Sequence, residues 1–152
     1  MLPEETRSHS ALIDTYFRIV ATDTYERFSD IITDDCTFSL MPIGYTFKGK
    51  KDVMRFVTTA GGARRHDKES KITITNWFAT GEHFCVEYEH SFIVDLLNSR
   101  MTIDGYCLVV HIVDGKFDAF REYINPSRIS ISVLTTYILR MLPFASRIRG
   151  RK

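Results

Sequence analysis

Apolar positions in the first third of the chain recur at helical spacing. Leu12, Ile13, Tyr16, Phe17 and Val20 fall on one stripe between residues 9 and 22, as on a helix facing a core. Asp23, with Glu26 three residues on, has the form of a capping box. Behind it Tyr25, Phe28, Ile31 and Ile32 predict the buried side of a second, short helix. Residues 36–41 change to a strand that Pro42 stops. Val53, Phe56, Val57 and Ala60 return to helical spacing over 50–60, and Gly61-Gly62 supplies the stop. The stretch 64–70 is a polar connection.

From residue 71 the period is two. Ile72, Ile74, Asn76 and Phe78 share one side of a strand over 71–80, and Phe84, Val86, Tyr88, His90, Phe92 and Val94 share one side over 83–95. Residues 101–113 are apolar on both faces, which predicts a central strand. Gly115-Lys116 turns the chain into a last strand at 117–124. Three helices ahead of an antiparallel meander predict an α+β domain with the helices on one sheet face. Leu134, Tyr137, Ile138, Met141 and Leu142 predict an extra C-terminal helix within 129–142, ended by Pro143 and too short to span a bilayer. The expected division is therefore a domain over 1–126 and a C-terminal amphipathic helix with a basic tail over 127–152.

Composition adds limits. The 152 residues are 44% hydrophobic and 26% charged, which excludes collagen-like and disordered classes and suits one domain. Cys36, Cys85 and Cys107 make an odd count with no CxxC pair, pointing to a reducing compartment. The N-terminus lacks the apolar run of a secretory signal, so a soluble, cytoplasmic protein is expected. Charge is uneven. Residues 126–152 hold six basic and no acidic side chains, so at an overall +1 the first 125 residues carry −5. An acidic body opposes a nucleic-acid role, while the 129–152 segment suits a lid over the domain or contact with an anionic membrane surface. Glycine-rich phosphate loops and the GxSxG motif are missing, and His83-x-Cys85 has no second pair at ligand spacing. Neither a cofactor nor a metal is expected.

The order of elements resembles the nuclear transport factor 2-like superfamily, which includes ketosteroid isomerases, limonene-epoxide hydrolases, scytalone dehydratase and SnoaL-like polyketide cyclases. The likeness is carried over residues 8–126 by Tyr16-Phe17-Arg18-Ile19-Val20, Asp34-Asp35-Cys36-Thr37-Phe38 and Asp114-Gly115-Lys116-Phe117, with Arg121-Glu122-Tyr123-Ile124-Asn125 behind. It implies a curved sheet wrapped into a cone around an apolar cavity, assembled as a homodimer through the outer sheet face. Tyr16 falls where ketosteroid isomerases keep an enolate-binding tyrosine, but their aspartate base and second acid fall near Met41 and Leu108. Glu122 falls on the catalytic aspartate of limonene-epoxide hydrolases, whose other site residues fall on His90, Phe92, Phe38 and Leu40. SnoaL-like cyclases need less, essentially one acid/base in an apolar cavity.

Alternation singles out the same positions. Glu122 shares a face with Asp118, Phe120 and Ile124; His90 lies between Tyr88 and Phe92; Asp104 shares its side with Tyr106, Leu108 and Val110. Among aromatics, desolvation raises a glutamate pKa toward neutrality, as general acid–base work requires. The expected site places Glu122, His90, Tyr16 and Asp104 in the chemistry and Phe38, Met41, Phe56, Asn76, Tyr88, Phe92 and Tyr106 around an apolar small molecule. The reading is a cofactor-free, SnoaL-like enzyme that cyclises, isomerises or dehydrates a polyketide- or terpenoid-type molecule. The alternatives are a non-catalytic ligand-binding or interaction module and an epoxide hydrolase using Asp104 and Glu122.

Overall fold

A computed structural model describes residues 4–41 and 44–125. Helix α1 (Glu4–Ala21) buries Ile13, Tyr16, Phe17 and Val20, the predicted stripe. A 3₁₀ turn over Tyr25–Asp30 buries Tyr25 and Phe28. Its N-cap is Thr24, which makes no side-chain cap bond, so the expected Asp23 capping box does not form. Asp23 instead takes a positive φ of 55° and gives its carboxylate to His66. Helix α2 (Lys50–Gly61) packs on this turn with Val53, Phe56, Val57 and Ala60 buried. A Cβ on Gly61 would stand 2.5 Å from the Tyr25 ring, so glycine is what lets α2 approach so closely.

Seven strands form one sheet: β1 (Ile32–Leu40), β2 (Tyr45–Lys48), β3 (Arg64–Arg65), β4 (Lys71–Thr80), β5 (His83–Val94), β6 (Ser99–Val113) and β7 (Lys116–Tyr123). Their order is β2-β1-β7-β6-β5-β3, with β4 also pairing β5. The sheet is mixed, not the antiparallel meander expected, because β1 and β7 run parallel with Phe38 opposite Phe120 and Leu40 opposite Glu122. Alternation reports which face a residue takes and is silent on strand direction. The short strands β2 and β3 lie below the length at which a period can be read.

Register shifts interrupt β4 between Ile74 and Asn76, β5/β6 between Tyr88 and His90, and β6/β7 between His111 and Ile112. Such bulges bend strands and increase twist, curling the sheet over its helices. The inner face is filled by rings. Tyr16 packs edge-on to Phe17, Phe28 and Phe117, and Phe38 lies against Phe56 and Phe120. No described helix is long and apolar enough to cross a membrane. The C-terminal helix, basic tail and second division expected over 127–152 lie outside the described residues.

Candidate functional site

Three elements converge on one carboxylate. On β7 the pleat turns Phe120 and Glu122 inward, and the register shift at Asp118 brings Phe117 to the same face, leaving Glu122 5% exposed between Leu40 of β1 and Leu108 of β6. Tyr88 of β5 donates its hydroxyl to Glu122 Oε1 at 3.3 Å. That phenol is held from both sides, stacked on Tyr106 at 4.8 Å and edge-on to Phe17 at 4.9 Å. Tyr16 of α1 completes the group and is coupled electrostatically to both Tyr88 and Glu122.

Burial dominates the electrostatics. It pushes the Glu122 carboxyl above its ordinary 4.5, with the Arg64 guanidinium and the Tyr88 hydrogen bond pulling the other way. The phenols of Tyr16 and Tyr88 are pushed up by the same desolvation, so both remain O–H donors at neutral pH. Together these groups can hold a proton, give it up and bind a developing oxyanion. The cavity beside them measures about 40 Å³ and is lined by Tyr16, Val20, Phe28, Phe38, Phe56, Arg64 and Glu122 among others. That is room for about one or two water molecules, not the substrate-sized hollow expected.

His90 belongs to a different network. It is 1% exposed, and its Nε2 lies 2.7 Å from Nε2 of His66, not on Glu122 as expected. His66 in turn sets Nδ1 2.7 Å from Asp23 Oδ1 and donates its backbone N–H to Asp23 Oδ2 at 3.1 Å. The two imidazoles stack at 5.0 Å and 9°, and Phe92 packs on His90 at 4.8 Å. Desolvation, with Arg64 and His66 nearby, pushes the His90 pKa down to about 2, so this ring is neutral. Its Nδ1 has no hydrogen-bond partner among the described residues.

The remaining expected residues divide. Phe38 and Phe56 line the Glu122 cavity. Tyr106 buttresses Tyr88, and Phe92 lies under the Arg64 guanidinium at 5.2 Å. Met41 is 38% exposed and contributes a backbone N–H to the Glu122 carbonyl rather than a wall. Asn76 is a correction. The β4 bulge reverses the alternation, pairing Trp77 with buried Val86 and Asn76 with exposed Glu87, so Asn76 faces outward. Asp104 is another. Both Ile103 and Tyr106 are buried because Asp104 and Gly105, the latter at φ 76°, make a bulge opposite Glu89. Asp104 is therefore outside the cavity lining, and epoxide hydrolysis by paired Asp104 and Glu122 loses its second carboxylate.

Sequence reasoning missed Arg64, His66 and Asp23. Residues 64–70 are a pinned segment: Arg64 and Arg65 pair with β5, Asp67 donates its backbone N–H to Ser70 Oγ, and Arg100 clasps Asp67 with bonds of 2.8 and 2.7 Å. The available signal was Arg64-Arg65-His66 placed directly between a helix and a strand. Among the described residues, no three His, Cys, Asp or Glu side chains gather as metal ligands.

Residues 13–122 match the family described as SnoaL-like domain. An LEH-like epoxide hydrolase of M. tuberculosis superposes with a TM-score of 0.69 at 15% identity, over 93% of this chain and 96% of that one. A protein of ketosteroid isomerase-like fold from Catenulispora acidiphila, in complex with trimethylamine, gives 0.67 at 12% identity, over 85% and 91%. A de novo designed protein with a curved β-sheet gives 0.62 at 16%, over 90% and 97%. These likenesses concern the fold, which the designed protein shares, and chemistry has to be argued from the site. No curated protein matches the sequence.

Proposed function

Since the chain belongs to the SnoaL-like domain family, we propose that it is a small acid–base enzyme acting on an apolar molecule of polyketide or terpenoid type. The reaction is a cyclisation, isomerisation or dehydration, each of which moves protons on or beside a carbonyl. Glu122 is the proton acceptor and donor, and the Tyr16 and Tyr88 hydroxyls bind the oxygen on which charge develops. One observation carries the reading: a carboxyl with a raised pKa is buried among aromatic rings with a phenol donating to it. Burying a carboxyl costs stability, and carboxyls perturbed in this way cluster at functional sites. Substrate access requires the walls around Phe38 and Phe56 to part. A homodimer through the outer sheet face belongs to the same proposal, and Phe78, 60% exposed on β4, suits it.

The cavity volume of about 40 Å³ favours a second reading, an interaction module of the same fold without turnover. Deuterium uptake from D2O into a panel of apolar ketones, followed by NMR, separates the two. The enzyme reading predicts exchange with the natural chain and at least a ~100-fold loss in Glu122→Gln. Equal rates in both proteins, at the uncatalysed level, select the module.

A further inference from the structure

Two groups of opposite charge face one cavity without forming an ion pair. Arg64 and Glu122 both line the hollow of about 40 Å³, whose other walls are aromatic rings, aliphatic side chains and Gly61. Glu122 makes no ion pair among the described residues; its hydrogen bond is with Tyr88. Arg64 is fixed in place from three sides. Its backbone pairs with Val94 of β5, the next residue, Arg65, ties to Asn98 at 2.7 Å, and its guanidinium carbon lies 5.2 Å from the centre of the Phe92 ring. A guanidinium over a ring face keeps five N–H donors, forked to match the two oxygens of a carboxylate. Its charge is felt by Glu122, Tyr16 and Tyr88 alike, as a cation at this junction requires.

We infer that Arg64 fixes the ligand class of this site: an apolar keto acid, with its carboxylate on the guanidinium and its enolisable carbon at Glu122. The turnover half rests on the acid–base reading above, and entry needs the same parting of Phe38 and Phe56; the binding half does not need Glu122. Rings and aliphatic chains suit the hydrocarbon part of such a molecule. An anionic group enters such a lining only where a cation meets it, so Arg64 selects the acid over its neutral analogues. In turnover the C–H bond beside the ketone breaks and its proton passes to Glu122. The bonding pair becomes the enolate double bond, and the carbonyl pair moves to the oxygen, which the Tyr16 hydroxyl meets. Return of the proton from Glu122 to carbon restores the carboxylate. The substrate carboxylate is unchanged throughout, so Arg64 acts on KM rather than on the chemical step.

The test compares an acid with its neutral twin on the full chain. The probes are β-benzoylpropionate and its methyl ester, followed by calorimetric Kd and by deuterium uptake at the carbon beside the ketone. The natural chain is expected to bind the acid at least about tenfold more tightly than the ester. Arg64→Met removes that preference and leaves the Kd of the ester in place, Arg64→Lys restores part of it, and Glu122→Gln keeps it. Equal affinity for acid and ester in the natural chain overturns the inference. So does an acid preference that survives Arg64→Met, and so does a lack of saturable binding of the acid. The two readings fail separately. Acid binding that depends on Arg64, without deuterium uptake, retires the enzyme and keeps the ligand class. Uptake with equal kcat/KM for acid and ester keeps Glu122 and retires the role of Arg64.

Discussion

Among the described residues the buried carboxyl, Glu122, and the buried imidazole, His90, are handled in opposite ways. Glu122 ends in a closed group: its partner Tyr88 is a buried neutral donor, itself wedged between Tyr106 and Phe17. His90 ends in an open chain that runs through His66 to a half-buried carboxylate at the surface. Desolvation disfavours charge in both, raising the acid and lowering the base. What differs is where a proton can go next. At Glu122 the described partner cannot relay charge outward, so a proton leaves with whatever occupies the cavity. At His90 the chain leads to solvent.

The largest expected effect is on turnover. Glu122→Gln keeps an oxygen for the Tyr88 hydroxyl but cannot ionise, and the loss of exchange activity is at least ~100-fold. The same variant sharpens the electrostatic side through stability. A raised carboxyl pKa means that the folded chain holds its proton to higher pH than the unfolded chain. That contribution is complete below the ordinary 4.5 and is lost as pH rises through the folded value. The variant is free of this loss, so denaturant titrations at pH ~8 should show it more stable than the natural chain, with the difference closing below 4.5. Equal stability at both pH values contradicts a buried, raised carboxyl.

His90 has the reverse sign. Its folded pKa of about 2 lies below the ordinary 6.5, so its contribution is present above 6.5 and is lost as pH falls toward the folded value. The slope is up to about 1.4 kcal/mol per pH unit for one proton. Denaturant midpoints measured down the acid limb should fall less steeply in His90→Leu than in the natural chain. A smaller effect breaks the open chain in the middle. His66→Ala leaves Nε2 of buried His90 without its partner and costs about 1–3 kcal/mol, read from the shift in urea midpoint. Tyr88→Phe is the smallest in stability, about 1 kcal/mol, but raises the Glu122 pKa further by removing its donor, visible as an upward move of the acid limb of the exchange rate.

The contrast also marks what could be read without coordinates. Inward-facing Glu122 and His90 both followed from alternation, because β7 and the centre of β5 keep their pleat through those residues. The stripes on α1 and α2 were legible for the same reason: periodicity encodes which face meets the core. Bulges defeat that logic, since one extra residue reverses every later side chain, and Asn76 and Asp104 each sit beside one. Asp23 was misread because an Asx residue after a helix fits a cap and a long-range anchor equally well at the level of sequence. Its partner is 43 residues away. Cavity size was likewise out of reach, since it depends on how the rings of Tyr16, Phe28, Phe38 and Phe120 interlock across elements.

The most direct measurement is the 13C chemical shift of the Glu122 side-chain carboxyl, assigned against Glu122→Gln and followed from about pH 3 to about pH 9. Burial among the rings predicts a titration midpoint clearly above the ordinary 4.5 of a glutamate. A midpoint at or below that value would mean that the carboxylate is solvated or firmly ion-paired, and Glu122 would lose its place as the proton-handling group.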